Sequence, residues 1–206
     1  MRRAGHALAV AVLALLVLAG CSDDKAPMLT GSGPEPASVD VDTPELRELR
    51  AEAGLEECER GPGGGGLPAV TVACLGGGPA VDLSTLRGPM VINLWQSACQ
   101  ACAHEMPILQ AFHEAYGGAV PVLGIDSTDQ FPGEALEQLA ERGVTYPQLA
   151  DPAGDLQDTD AFAKLVGYPH LVFVDGDGEI AYQKSGAVSS ADELEGLVED
   201  HLGVSL

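Results

Sequence analysis

Val91-Ile92-Asn93-Leu94-Trp95-Gln96-Ser97-Ala98-Cys99-Gln100-Ala101-Cys102 is the stretch on which the reading of the fold turns. The mostly apolar run Val91 to Trp95 predicts a strand, and a helical pattern takes over near Cys99. A thiol in the first turn of a helix faces unpaired backbone N–H groups and the positive end of the helix dipole, which stabilise a thiolate. Cys102 falls about one turn further on, close enough to close a small reversible disulfide. The same spacing makes half of a zinc site. However, no second CxxC follows, and His6, His104, His113, His170 and His201 do not complete a zinc-finger pattern. The pair therefore reads as redox chemistry, with no cofactor or metal called for.

Working outward, a continuous apolar strand from Met90 to Trp95 predicts a central position covered on both faces. The Cys99 helix should run to about Tyr116, stop at Gly117-Gly118 and kink at Pro107. A strand at 121–126, a helix at 133–142 with Leu136, Leu139 and Ala140 inward, a short strand at 146–150 and a helix at about 156–166 follow. Leu171-Val172-Phe173-Val174 and Glu179-Ile180-Ala181-Tyr182, joined through Asp175-Gly176-Asp177-Gly178, predict a hairpin, and a helix over 190–202 closes the chain. Upstream, Val70-Thr71-Val72 and a strand at 80–83 flank Gly76-Gly77-Gly78 as an N-terminal hairpin carrying Cys74. The fold class is α/β, a central mixed β-sheet flanked by helices on both faces.

The N-terminus has the form of an export signal. Arg2, Arg3 and His6 precede an apolar run from Ala7 to Ala19, shorter than the ~20 residues that a spanning helix needs. It ends in Leu18-Ala19-Gly20-Cys21, which resembles a bacterial lipobox, whose cysteine receives a diacylglyceryl group. The segments are then a lipoprotein signal peptide at 1–20, a flexible tether at 21–42, a short helix and Gly-rich loop at 43–66, and the main domain at 67–206. Thr43-Pro44-Glu45 supplies the cap, the first-turn proline and the first-turn acid of that short helix. With Cys21 assigned to lipid, four cysteines remain. In an oxidising compartment these make two disulfides, Cys99 with Cys102 and Cys58 with Cys74. The formal charge of -21, with 10 basic against 31 acidic residues in 206, sets aside nucleic acid and anionic lipid surfaces as partners.

Asn93-Leu94-Trp95-Gln96-Ser97-Ala98-Cys99-Gln100-Ala101-Cys102-Ala103-His104-Glu105-Met106-Pro107 resembles the active-site stretch of the TlpA/ResA-like thioredoxin-fold lipoproteins. Asp82-Leu83-Ser84-Thr85-Leu86-Arg87-Gly88 matches the strand and turn before it, and Val166-Gly167-Tyr168-Pro169 resembles the family's cis-proline loop. The resemblance covers about residues 67–202. It implies a thioredoxin fold and thiol–disulfide exchange, with Cys99 attacking, Cys102 resolving, Glu105 assisting Cys102 and Pro169 opposing the pair in a cis bond. It also implies a protein lipid-anchored outside the cytoplasm, held to the membrane by the anchor alone. Its partners would be exported cysteine-containing proteins, apocytochrome c among them, and a membrane electron donor or acceptor.

Ala98 departs from the family by standing where a tryptophan is usual. His170 departs where threonine is common, and places a titratable ring near the disulfide. Trp95 reads as core, Glu105 as a partly buried acid, and His104 and His113 as surface residues. Neutral Gln100 and Ala101 between the cysteines, together with the acidic surroundings, predict a reductant, with His170 as the counterweight. Two other functions fit the same residues: a disulfide-inserting oxidase, and a copper(I) carrier using the two thiolates with His170.

Overall fold

The computed structural model describes residues 38–206. The export signal at 1–20, Cys21 and most of the tether to 42 lie outside the described residues. Seven strands form one mixed sheet: β1 (Thr71–Cys74), β2 (Val81–Asp82), β3 (Met90–Trp95), β4 (Val122–Ser127), β5 (Gln148–Asp151), β6 (His170–Val174) and β7 (Ile180–Ser185). Their spatial order is β2-β1-β5-β4-β3-β6-β7. β3, β4 and β5 run parallel, whereas β6 pairs antiparallel with β3, β7 antiparallel with β6, and β1 antiparallel with β5. Every residue of β3 and β4 is buried, the signature of interior parallel strands. The register pairs Trp95 with Asp126, so the C-terminal ends of both strands open toward the same loops.

Four α-helices accompany the sheet: α1 (Pro44–Ala53), α2 (Gln100–Tyr116), α3 (Pro132–Arg142) and α4 (Ala191–Leu202). Thr43 caps α1, its hydroxyl accepting from Leu46 N at 3.2 Å, and left-handed Gly54 ends it. Ser190 caps α4 in the same way. All four helices pack their apolar stripes into one core with Val91, Trp95, Leu171 and Phe173. α3 turns Ala135, Leu136 and Leu139 inward, while Ala140, expected to join them, is exposed.

The second face of the sheet carries a separate core of Ile92, Leu94, Ile125, Val172, Leu83 and Phe162. It is covered by single-turn 3-10 helices at Leu83–Thr85 and Asp160–Phe162. The α-helix expected over 156–166 is therefore replaced. The Asp151 carboxylate accepts from the amides of Gly154, Asp155 and Leu156, and the Thr159 hydroxyl donates to Leu156 O at 2.7 Å. Asp and Thr bonded to their own backbone in this way favour turns over a continuing helix. His113, read from sequence as a surface residue, is half-buried. Its Nδ1 accepts from Val122 N at 3.1 Å, and its Nε2 faces Glu56 Oε1 at 3.1 Å, tying the end of α2 to β4.

The Cys58–Cys74 bridge is formed, with Cα atoms 6.0 Å apart. It joins the segment after α1 to β1. Arg50 reinforces the junction, its Nη1 lying 3.2 Å from Cys74 Sγ and donating to Leu75 O at 2.7 Å. A Cys58→Ala, Cys74→Ala variant should unfold at a free energy lower by about 2–4 kcal/mol in denaturant titration. Stability equal to that of the parent would show that the bridge does not hold the α1 segment.

Candidate active site

The chain leaves β3 at Trp95, turns through Gln96, Ser97 and Ala98, and enters α2 with Cys99 as its N-cap. Cys99 Sγ accepts from the backbone N–H of Cys102 at 3.1 Å, the bond that a serine or aspartate oxygen makes at an ordinary cap. The two sulfurs are joined in a disulfide, with Cα atoms 5.2 Å apart. Cys99 is half-buried and Cys102 fully buried, so only one sulfur faces an incoming partner. Once the bond is reduced, the same amide and the positive end of the 17-residue helix α2 favour the thiolate of Cys99 over that of Cys102.

Glu105 lies three residues past Cys102 and is fully buried in the α2 core. Its Oε1 accepts from Val188 N at 2.8 Å, and its Oε2 has no hydrogen-bond partner among the described residues. Burial pushes its pKa up to about 7. Trp95 is core: fully buried, its Nε1 donates to Gln148 Oε1 at 3.0 Å. His104 is exposed on α2.

The Tyr168–Pro169 bond is cis, as is Gly88–Pro89 at the far end of β3, which the sequence reading did not single out. His170 departs from expectation. Side chains alternate along β6, with Leu171 and Phe173 in the α2 core and Val172 and Val174 in the other, which puts His170 on the face away from α2. Its Nδ1 meets Ser185 Oγ at 3.1 Å and its Nε2 meets Gln183 Oε1 at 3.0 Å, and burial pushes its pKa down. The ring neither offsets charge at the disulfide nor completes a copper site with the thiolates. Among the described residues, no group of three or more His, Cys, Asp or Glu is arranged to hold a metal.

A polar turn after β4, absent from the sequence reading, holds the site together. Asp129 Oδ2 accepts from Ser97 N at 2.7 Å and Ser97 Oγ at 2.6 Å, while its Oδ1 accepts from Phe131 N at 2.9 Å. Gln96 Nε2 donates to Thr128 Oγ1 at 2.6 Å, and that hydroxyl lies 3.1 Å from Tyr168 OH. Thr128 adopts φ 55°, a left-handed conformation that is costly for a β-branched residue. Buried Asp126 adjoins Asp129; desolvation, then the neighbouring carboxylate, pushes its pKa up to about 9. The available signal was position alone: loops at the C-terminal ends of adjacent parallel strands converge. A cavity of about 660 Å³ lies elsewhere, lined by Cys58, Met90, Val122 and Pro147, and neither cysteine of the CxxC pair borders it.

Residues 64–183 match the AhpC/TSA family. Over 124 residues the chain is 29% identical to the thiol-disulfide oxidoreductase ResA of Oceanobacillus iheyensis, covering 58% of this chain and 61% of that protein. The chain thus spans less than two thirds of that relative's length. A secreted Mycobacterium tuberculosis disulfide oxidoreductase homologous to E. coli DsbE superposes with a TM-score of 0.55 at 26% identity, covering 64% of this chain and 96% of that one. A thioredoxin-like protein from Porphyromonas gingivalis superposes at 0.54 with 23% identity, covering 66% and 92%, which shows the fold alone. The fold is thioredoxin-like, as the active-site stretch implied. With more than half of its length matched, the chain belongs to the AhpC/TSA family.

Proposed function

We propose that this protein is a thiol–disulfide oxidoreductase, held by a lipid on Cys21 outside the cytoplasm, that reduces disulfides in exported proteins. The observation that carries the reading is the asymmetry of the pair: a partly accessible N-cap sulfur on Cys99 and a buried resolving sulfur on Cys102. In the reaction, the Cys99 thiolate attacks one sulfur of a client disulfide and the client's other sulfur leaves as thiolate. Glu105, when ionised, takes the proton from Cys102. The Cys102 thiolate then attacks Cys99 Sγ, closing the disulfide and releasing the client's second thiol. Two electrons pass to the client, and a dithiol donor at the membrane restores the reduced pair. Apocytochrome c is the client class to which the resemblance to TlpA/ResA-like lipoproteins points. The name of the relative ResA and the description of the secreted structural neighbour agree with the chemistry.

The direction follows from charge. Gln100 and Ala101 bring none, Glu105 brings negative charge only once it ionises, and His170 faces away. A thiolate at Cys99 therefore receives help from the helix terminus and little else, and the reduced form is not stabilised as it is in a strong oxidant. Equilibration against graded glutathione mixtures should give a potential nearer about -270 mV than about -120 mV. A value above about -180 mV would make the protein a disulfide-inserting oxidase.

Glu105 also makes stability depend on pH. Its acid form is favoured by folding, since burial lifts the pKa from 4.5 to about 7. Stability therefore falls as pH rises from about 4.5 through about 7, and the loss is complete above that. Glu105→Gln keeps an acceptor for Val188 N and should gain about 1–3 kcal/mol over the parent at pH 8 while matching it near pH 4. The variant should also resolve the mixed disulfide more slowly. An equal difference from the parent at both pH values would contradict the buried acid.

A further inference from the structure

Arg50 is buried, and it makes no ion pair among the described residues. Its Nη1 donates to Leu75 O at 2.7 Å and lies 3.2 Å from Cys74 Sγ, and its Nη2 donates to Glu56 O. A buried guanidinium held only by carbonyls and a disulfide sulfur retains much of its desolvation cost, because no anion answers its charge. Breaking the Cys58–Cys74 bond with the electron pair left on Cys74 would create that anion at contact distance. A cation beside a sulfur lowers its thiol pKa, and the sulfur of lower pKa is the better leaving group in thiol–disulfide exchange.

The two sulfurs also differ in what surrounds them. Cys58 borders the cavity of about 660 Å³, at the end of the sheet where Met90 and Val122 begin β3 and β4, away from Cys99. Cys74 does not border it. Against Cys74 stand Arg50 and the Gly76–Gly78 turn, so close that a Cβ added at Gly78 would lie 3.3 Å from the sulfur. Both cysteines are only 2% exposed, so a reagent must be small enough to enter the cavity, and it then meets Cys58. The cavity wall carries both signs of charge, Arg60 and Arg87 with Glu57 and Glu59, beside apolar Met90 and Val122. That lining suits a small thiol that itself bears a carboxylate and an ammonium group.

We propose that the Cys58–Cys74 bridge is a modification site, separate from the exchange pair, where a small amino-acid thiol enters the cavity and joins Cys58 as Cys74 leaves. In the step, the small thiolate forms a bond to Cys58 Sγ, the Cys58–Cys74 bond breaks, and its electron pair stays on Cys74 as a thiolate beside Arg50. The entering thiol is oxidised to a mixed disulfide, the Cys74 sulfur is reduced, and the proton of the entering thiol goes to solvent. The product no longer ties the segment after α1 to β1. Arg50 is a positioning residue here, acting through Cys74. The site stands independently of the reading of Cys99 and Cys102.

The test uses the full chain with Cys99→Ala and Cys102→Ala, which removes the exchange pair and leaves the bridge. This protein is incubated in excess free cysteine without denaturant, sampled early, treated with iodoacetamide and mapped by mass spectrometry. The added cysteine should sit on Cys58 and the alkyl group on Cys74, with the Cys58 adduct exceeding the Cys74 adduct about ten-fold. At equal thiolate concentration, free cysteine should react faster than cysteamine or mercaptoacetate, each of which lacks one of its two charges. Arg50→Met should slow the reaction about ten-fold and Arg50→Lys should restore most of the rate. Loosening of the junction alone would expose the bridge and speed the reaction instead. Adducts on Cys74, an even split, or reaction only in urea would overturn the site, and this mapping needs no Arg50 variant to fold. A faster reaction in Arg50→Met would overturn the part given to Arg50, and equal rates for the three thiols would overturn the class of ligand.

Discussion

The hydrogen bond from the Cys102 amide to Cys99 Sγ is the interaction on which the rest of the site depends. It makes the cap of α2 the same sulfur that we propose as the nucleophile, so the helix that organises the core would also set the chemistry. That arrangement requires β3 to end where it does. The strand is buried at all six positions, lies between β4 and β6, and delivers the chain to the helix N-terminus without slack. Burial of Cys102 and Glu105 then follows from the stripe α2 turns toward the sheet, and partial exposure of Cys99 from its place at the tip.

Charge around this sulfur is arranged sparingly. The positive end of α2 supports a thiolate, while Glu105, once ionised, disfavours more negative charge in the same core. The carboxyls serve different ends. Glu105 sits inside, with one oxygen bonded to Val188 and the other without a hydrogen-bond partner among the described residues. Asp129 binds backbone and hydroxyl groups of Ser97 and the amide of Phe131, and so acts on position. Thr128 beside it links the cysteine turn to the cis-proline loop.

Much of this was legible in the sequence where a single element carried its own signal. Met90 to Trp95 read as interior strand because every residue is apolar or tolerates burial, and Cys99 read as a helix start because the pattern changes there. The β6–β7 hairpin, the cap at Thr43, the closing helix and the Cys58–Cys74 pairing were visible for similar reasons. What escaped depends on contacts between distant segments. The 156–166 stretch has apolar residues at helical spacing, but the Asp151 carboxylate captures the amides that would start a helix. His170 stands next to Pro169 in sequence, yet strand alternation sends its ring to the opposite face. Asp129 lies 30 residues from Cys99, and only the pairing of β3 with β4 brings its turn to Ser97.

The central claim, that Cys99 is the sulfur that joins to clients and Cys102 the sulfur that releases them, is most directly tested by trapping. A Cys102→Ser variant incubated with disulfide-bearing exported proteins should accumulate mixed disulfides, with peptide mapping placing the client on Cys99 in every adduct. Adducts mapped to Cys58 or Cys74, or stable adducts through Cys102 in a Cys99→Ser variant and none through Cys99, would contradict the account.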